Sequence, residues 1–145
     1  MAVIRFTPAD ALQTTLVEGG VYPSEISKIE GPSKSKSGKS LNTFVDLRIV
    51  DGKYKGKEIT ILFNDEMNSA SVMGDMSMFP NSYLLVVDGA IKGRKVDAVD
   101  YELDTDSLLN QPLDVQWAVQ TNEGRLINTI VGFFPSGYGS KAPAF

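Results

Sequence analysis

The chain contains no cysteine and no histidine. These two absences constrain it more than any motif it carries. Without cysteine there is no disulfide framework, no thiolate nucleophile and no iron–sulfur cluster. Without histidine there is no Ser-His-Asp triad and no imidazole ligand for zinc or haem. A chain of 145 residues with 42% hydrophobic content must then fold on its apolar core alone, as one domain. The catalytic chemistry left open is that of carboxylates, with Mg²⁺ at most. No apolar run approaches the ~20 residues of a membrane-crossing helix, and the first ten residues lack the pattern of a secretory signal. The expectation is a cytoplasmic protein with no cofactor and no membrane partner.

Patterning along the chain predicts a mostly β architecture. Thr7, Pro8 and Asp10 announce a short helix over residues 8–18, with Thr7 as the cap and the Gly19-Gly20 pair as the stop. Residues 21–29 read as a strand bulged near Pro23, and residues 31–40 as an exposed, flexible basic loop. Residues 41–50 alternate, with Val45, Leu47 and Ile49 on one face and Phe44, Asp46 and Arg48 on the other. Residues 57–64 alternate again through Ile59, Ile61 and Phe63, and the Gly-bearing loop between the two predicts a hairpin. Residues 65–110 read as a helical or irregular insert. Its helix starts at Asn64 or Asp65, carries Val72, Met73, Met76 and Phe79 at helical spacing, and stops at Pro80. The apolar run 83–87 is open between strand and helix. Residues 113–121 form a strand whose parity places Trp117 in the core. A three-residue turn, Asn122-Glu123-Gly124, leads into a last strand over 125–134. Residues 136–145 read as a flexible tail. The order is that of an all-β fold with a helical insert: a five-stranded OB-fold barrel over residues 1–135, with the helix between strands 3 and 4.

The net charge of −4 argues against a nucleic-acid binder, but its distribution does not. Residues 28–57 hold eight basic and three acidic side chains, and the rest of the chain is strongly acidic. Within that segment Gly38-Lys39-Ser40 mimics the end of a phosphate-binding P-loop. The motif fails, because Ser33 stands where its first glycine belongs and a strand rather than a helix follows. The acidic run Asp97, Asp100, Glu102, Asp104 and Asp106 fails as a Ca²⁺ loop for want of glycine at its sixth position and glutamate at its twelfth.

On an OB barrel, ligands lie across strands 2 and 3 between the loops joining strands 1–2 and 4–5. There the sequence offers Lys34, Lys36 and Lys39 in the first loop and Phe44 and Arg48 on strand 2. Lys53, Tyr54, Lys55 and Lys57 follow in the next connection, and Arg125 comes after the last turn. Cations neutralise phosphates, and exposed aromatic rings stack on unpaired bases. The pattern predicts a non-catalytic protein that binds single-stranded DNA with little sequence preference. Two other readings stay open: a virion or scaffold β-barrel, and a Mg²⁺-dependent nuclease using Asp100 or Asp104. An oligomer is compatible with all three.

Several runs together resemble a known family. They are residues 20–26 (Gly-Val-Tyr-Pro-Ser-Glu-Ile), 35–41 (Ser-Lys-Ser-Gly-Lys-Ser-Leu), 50–57 (Val-Asp-Gly-Lys-Tyr-Lys-Gly-Lys), Leu108-Leu109 with Pro112-Leu113, Gly124-Arg125, and 130–135 (Ile-Val-Gly-Phe-Phe-Pro). In this order they resemble a phage-encoded family, formerly catalogued as a domain of unknown function and taken to comprise OB-fold single-stranded DNA-binding proteins. The resemblance spans residues 20–64 and 108–135, about half the chain. It implies a role in phage DNA replication or recombination, in the host cytoplasm, with replication or recombination proteins as further partners.

Overall fold

The computed structural model describes residues 2–34, 38, 40–67, 69–73, 76–93 and 102–138, the side chain of Met73 excepted. The alternating segments form the centre of the sheet. Strand β1 (Gly20–Lys34) pairs antiparallel with β2 (Leu41–Ile49), and β2 pairs antiparallel with β3 (Glu58–Asn64). Val45, Leu47, Ile49, Ile61 and Phe63 point inward and are buried, as their period of two requires. The bulges of β1 lie between Ile26 and Lys28 and between Glu30 and Ser33, not at Pro23. β1 also runs on to Lys34, through what read as loop. Gly31 makes this extension possible. Its φ is +112°, and a Cβ there would stand 2.5 Å from the Asn42 carbonyl oxygen.

The stretch read as a helix between Asn64 and Pro80 is instead two short strands, β4 (Ser71–Met73) and β5 (Met76–Pro80). They pair antiparallel with each other, and β5 runs parallel to β3. The burial of Ser77 and Phe79 has period two, and the β5 backbone pairs with β3 from Ile61 to Asn64. The second helix comes later. After the short helix α1 (Pro8–Thr14), α2 occupies Tyr83–Lys92 and runs straight through Gly89. Gly93 ends α2 with φ +67°, returning its N–H to the Gly89 carbonyl. A single 3₁₀ turn (Thr105–Leu108) precedes β6 (Pro112–Asn122) and β7 (Arg125–Phe134). The β6–β7 turn has two central residues, not three: Glu123 and Gly124, both at positive φ.

The described residues thus form seven strands, not five, in the order β4-β5-β3-β2-β1-β6-β7, with α2 after the fifth strand. The sheet is nearly closed and barrel-like. Its core is an aromatic cluster, Phe63, Phe79 and Phe133, with centroids 5.3–6.3 Å apart, backed by Trp117, Ile26 and Leu113. The seam is tied by one buried hydroxyl. Ser77 Oγ on β5 accepts the Ile130 N–H of β7 at 3.1 Å and lies 3.4 Å from Thr129 Oγ1. Ser77→Ala leaves that buried N–H without an acceptor and is expected to cost about 1–3 kcal/mol in a urea melt.

α1 is shorter than expected and is capped at both ends. Thr7 and Asp10 form a capping box that holds the Asp10 carboxyl below its usual range through hydrogen bonds to the Thr7 backbone and hydroxyl. At the C-terminal end, Lys57 Nζ donates to the Leu12 and Gln13 carbonyls at 3.3 and 2.7 Å. Residues 139–145 of the expected tail lie outside the described residues. Of the rest, Tyr138 stacks on Phe134 at 4.2 Å. No helix among the described residues is long and apolar enough to cross a membrane.

Candidate nucleic-acid interface

The outward face of β1, β2 and β3 carries Phe44 at its middle. The register sets Phe44 opposite Glu30 of β1 and Leu62 of β3, so the ring is half-buried between neighbours. Lys28, Glu30, Asp46 and Thr60 join it around a shallow depression of about 200 Å³. Lys28 Nζ meets Glu30 at 2.7 Å, and this hydrogen bond raises the lysine's pKa above its ordinary value. Thr60 Oγ1 donates to Asp46 Oδ1 at 2.6 Å. Lys28, Glu30, Asp46 and Thr60 were not anticipated as site residues. Asp46 shares Phe44's face by the alternation of β2 itself, whereas Glu30 and Thr60 join it through the β1 bulges and the β2–β3 register, which a single strand's alternation does not reveal.

Arg48 lies further along the same face of β2. Glu25 of β1 binds its guanidinium directly and raises its pKa, and Glu58 of β3 stands 4.0 Å away. Arg48 is therefore flanked by two carboxylates from the neighbouring strands.

The remaining candidates fall at the two ends of β2. Lys34 lies opposite Leu41 at the start of the strand and is exposed. Lys36 and Lys39 lie outside the described residues. At the other end, Lys53 and Lys55 are exposed in the β2–β3 connection. Lys53 Nζ lies 3.5 Å from Glu18 and 5.4 Å from the Tyr54 ring centroid, and the Glu18 charge raises its pKa. Arg125 opens β7 at this same end, since β6 runs antiparallel to β1 beyond Gly20. β2 has nine residues, so the two basic ends stand ~30 Å apart.

Two candidates are corrected by their burial. Tyr54 is only 4% exposed. Its ring packs edge-on against Tyr22 at 5.7 Å, and its hydroxyl accepts the Glu18 N–H at 3.3 Å. A ring enclosed in this way offers no face to a base. Lys57 is likewise buried, its ammonium taken up by the α1 carbonyls described above. Trp117 is in the core, as its parity required.

Asp97 and Asp100 lie outside the described residues, and Asp104 caps the 3₁₀ turn by accepting the Asp106 N–H at 3.0 Å. Among the described residues no cluster of three or more carboxylates is placed to hold a metal ion.

No curated protein matches the chain. A family model does, over residues 4–143, and its description is "Protein of unknown function (DUF669)". Covering nearly the whole chain, that match shows that the protein belongs to the DUF669 family.

Proposed function

We propose that the chain is a non-catalytic, OB-type protein that binds single-stranded DNA with little sequence preference during phage DNA replication or recombination. The observation that carries this reading is the surface of β2: a half-exposed aromatic ring at its middle and lysines at both ends. The strand order supports it. β3-β2-β1-β6-β7 are contiguous in the sheet, with α2 between β3 and β6 in sequence, which is the OB order. On this reading the β4–β5 hairpin is an addition at the β3 edge.

The backbone of the strand runs along β2. Lys34, with Lys36 and Lys39, takes phosphates at one end, and Lys53, Lys55 and Arg125 take them at the other. A base stacks on Phe44 in the depression between them. Arg48 reaches a phosphate by exchanging its carboxylate partners for it, which leaves its charge in place but adds little net Coulomb energy. Backbone charge and ring stacking are both blind to base identity, so the binding tolerates sequence.

Phe44→Ala tests the stacking step. One lost base–aromatic contact is worth ~1–3 kcal/mol, or roughly 5- to 150-fold in affinity. The melting temperature should change little, because the ring is not in the core. An unchanged single-strand affinity in a folded Phe44→Ala variant places the site elsewhere.

The segment before α1 favours a second reading. Val3, Ile4 and Phe6 are 75–77% exposed, which suits a virion or scaffold barrel that works through protein contacts. That reading predicts no affinity for a single strand even at low salt.

A further inference from the structure

The barrel does not close along its whole length. Beyond the Ser77–Ile130 tie, the start of β3 and the start of β7 part around a slot of about 840 Å³. Its walls are Glu58, Ile59 and Thr60 on one side and Leu126, Ile127 and Asn128 on the other, and the end of α1 flanks its mouth.

Both walls are strand edges. Arg125 faces Asn122 across the two-residue turn, so antiparallel alternation turns the backbone of Leu126 and Asn128 away from β6 and toward the slot. The Ile130 N–H, in the same phase, is the one that reaches Ser77. On the other wall, the Lys57 carbonyl accepts from Ile49, so the backbone of Glu58 and Thr60 also faces away from β2. The Glu58 N–H is met there by the Gln13 side chain at 3.1 Å. Trp117 lines the slot as well. Its residue is 2% exposed, and its indole N–H is buried with no hydrogen-bond partner among the described residues. A buried donor of this kind calls for an acceptor.

The chain carries a segment of matching chemistry. Residues 2–7 (Ala-Val-Ile-Arg-Phe-Thr) are β-prone, and Val3, Ile4 and Phe6 are exposed at 77%, 75% and 76%. In an extended conformation Ile4 and Phe6 share one face. Six residues reach ~20 Å, enough to run the length of the slot. The segment leaves α1 at Thr7, the end opposite Gln13 and Thr14, which line the slot. Thr7 is fixed there in an extended conformation by the capping box.

We propose that residues 2–7 of a second copy of this chain enter the slot as an added strand, placing Ile4 and Phe6 against Leu126 and Trp117 and a backbone carbonyl on the Trp117 indole N–H. The exchange is reciprocal, so it builds a two-fold dimer in which each arm covers the partner's open seam.

Trp117 is the only tryptophan, so its emission reports the slot directly. The test compares sedimentation velocity and tryptophan emission over a dilution series for three forms: the natural chain, a variant lacking only residues 2–6, and Leu126→Asp. Circular dichroism checks that all three are folded. The expected result is a natural chain whose mass rises with concentration toward twice its 15.8 kDa, with emission shifting in step. Both variants stay monomeric, with emission independent of concentration. Equal masses for the natural chain and the deletion at every concentration would overturn the proposal. So would an emission difference between them that persists unchanged on dilution, since that places the chain's own arm in the slot.

Discussion

Replacing Lys34, Lys36 and Lys39 together with alanine is expected to weaken binding of a single strand by ~100-fold at 0.1 M salt. Each phosphate contact on a single strand contributes about −0.7 to the slope of log K against log salt, so three lost contacts remove about 2 from that slope. The fold should be untouched, since Lys34 is exposed at the end of β1 and forms no ion pair among the described residues. Anisotropy titrations at several salt concentrations measure both quantities at once. An affinity and slope equal to those of the natural chain would remove this loop from the interface. Lys57 supplies a contrast, because its ammonium holds the end of α1 and does not face the groove.

Asn128→Ala is expected to be the most destabilising single change to a polar side chain. Asn128 is 8% exposed, and its amide is used fully. Its oxygen accepts the Val17 N–H at 2.8 Å, and its nitrogen donates to the carbonyls of Val17 at 2.7 Å and Ala118 at 3.3 Å. Val17 is fully buried, so both of its backbone groups depend on this amide in the connection between α1 and β1. Leaving two buried backbone groups unpaired costs about 1–3 kcal/mol each, so a loss near 3 kcal/mol is the expected order. For a domain of this size that lowers the melting temperature by ~6–12 °C. A scanning calorimetry trace within a degree or two of the natural chain would mean that the 15–19 connection draws its stability from elsewhere.

Where period-two alternation is clean, the fold is legible in the sequence. Val45, Leu47 and Ile49 against Ile59, Ile61 and Phe63 located the β2–β3 hairpin, and Trp117's parity located the core side of β6. The β4–β5 hairpin was missed because Val72, Met73, Met76 and Phe79 satisfy helical spacing as well as strand spacing over so few residues. The overlooked signal was the Gly74-Asp75 pair, a hairpin dipeptide. Tyr54 and Lys57 were misplaced for a different reason. Glu18 and Tyr22 enclose Tyr54, and α1 takes up Lys57, from more than thirty residues away in the chain. Loop composition carries no trace of such contacts. The depression around Phe44 was half legible. The shared face of Phe44 and Asp46 followed from alternation, but Glu30 and Thr60 reach it through the β1 bulges and the β2–β3 register.

The protein should prefer an unpaired strand to a duplex. Fluorescence anisotropy of a labelled single strand of ~20 nucleotides, with the duplex as control and at two salt concentrations, tests it most directly. The expected result is tighter binding of the single strand, because a base must leave the duplex to stack on Phe44, and a steep loss of affinity as salt rises. No binding at low salt, or equal binding of the duplex, would contradict it.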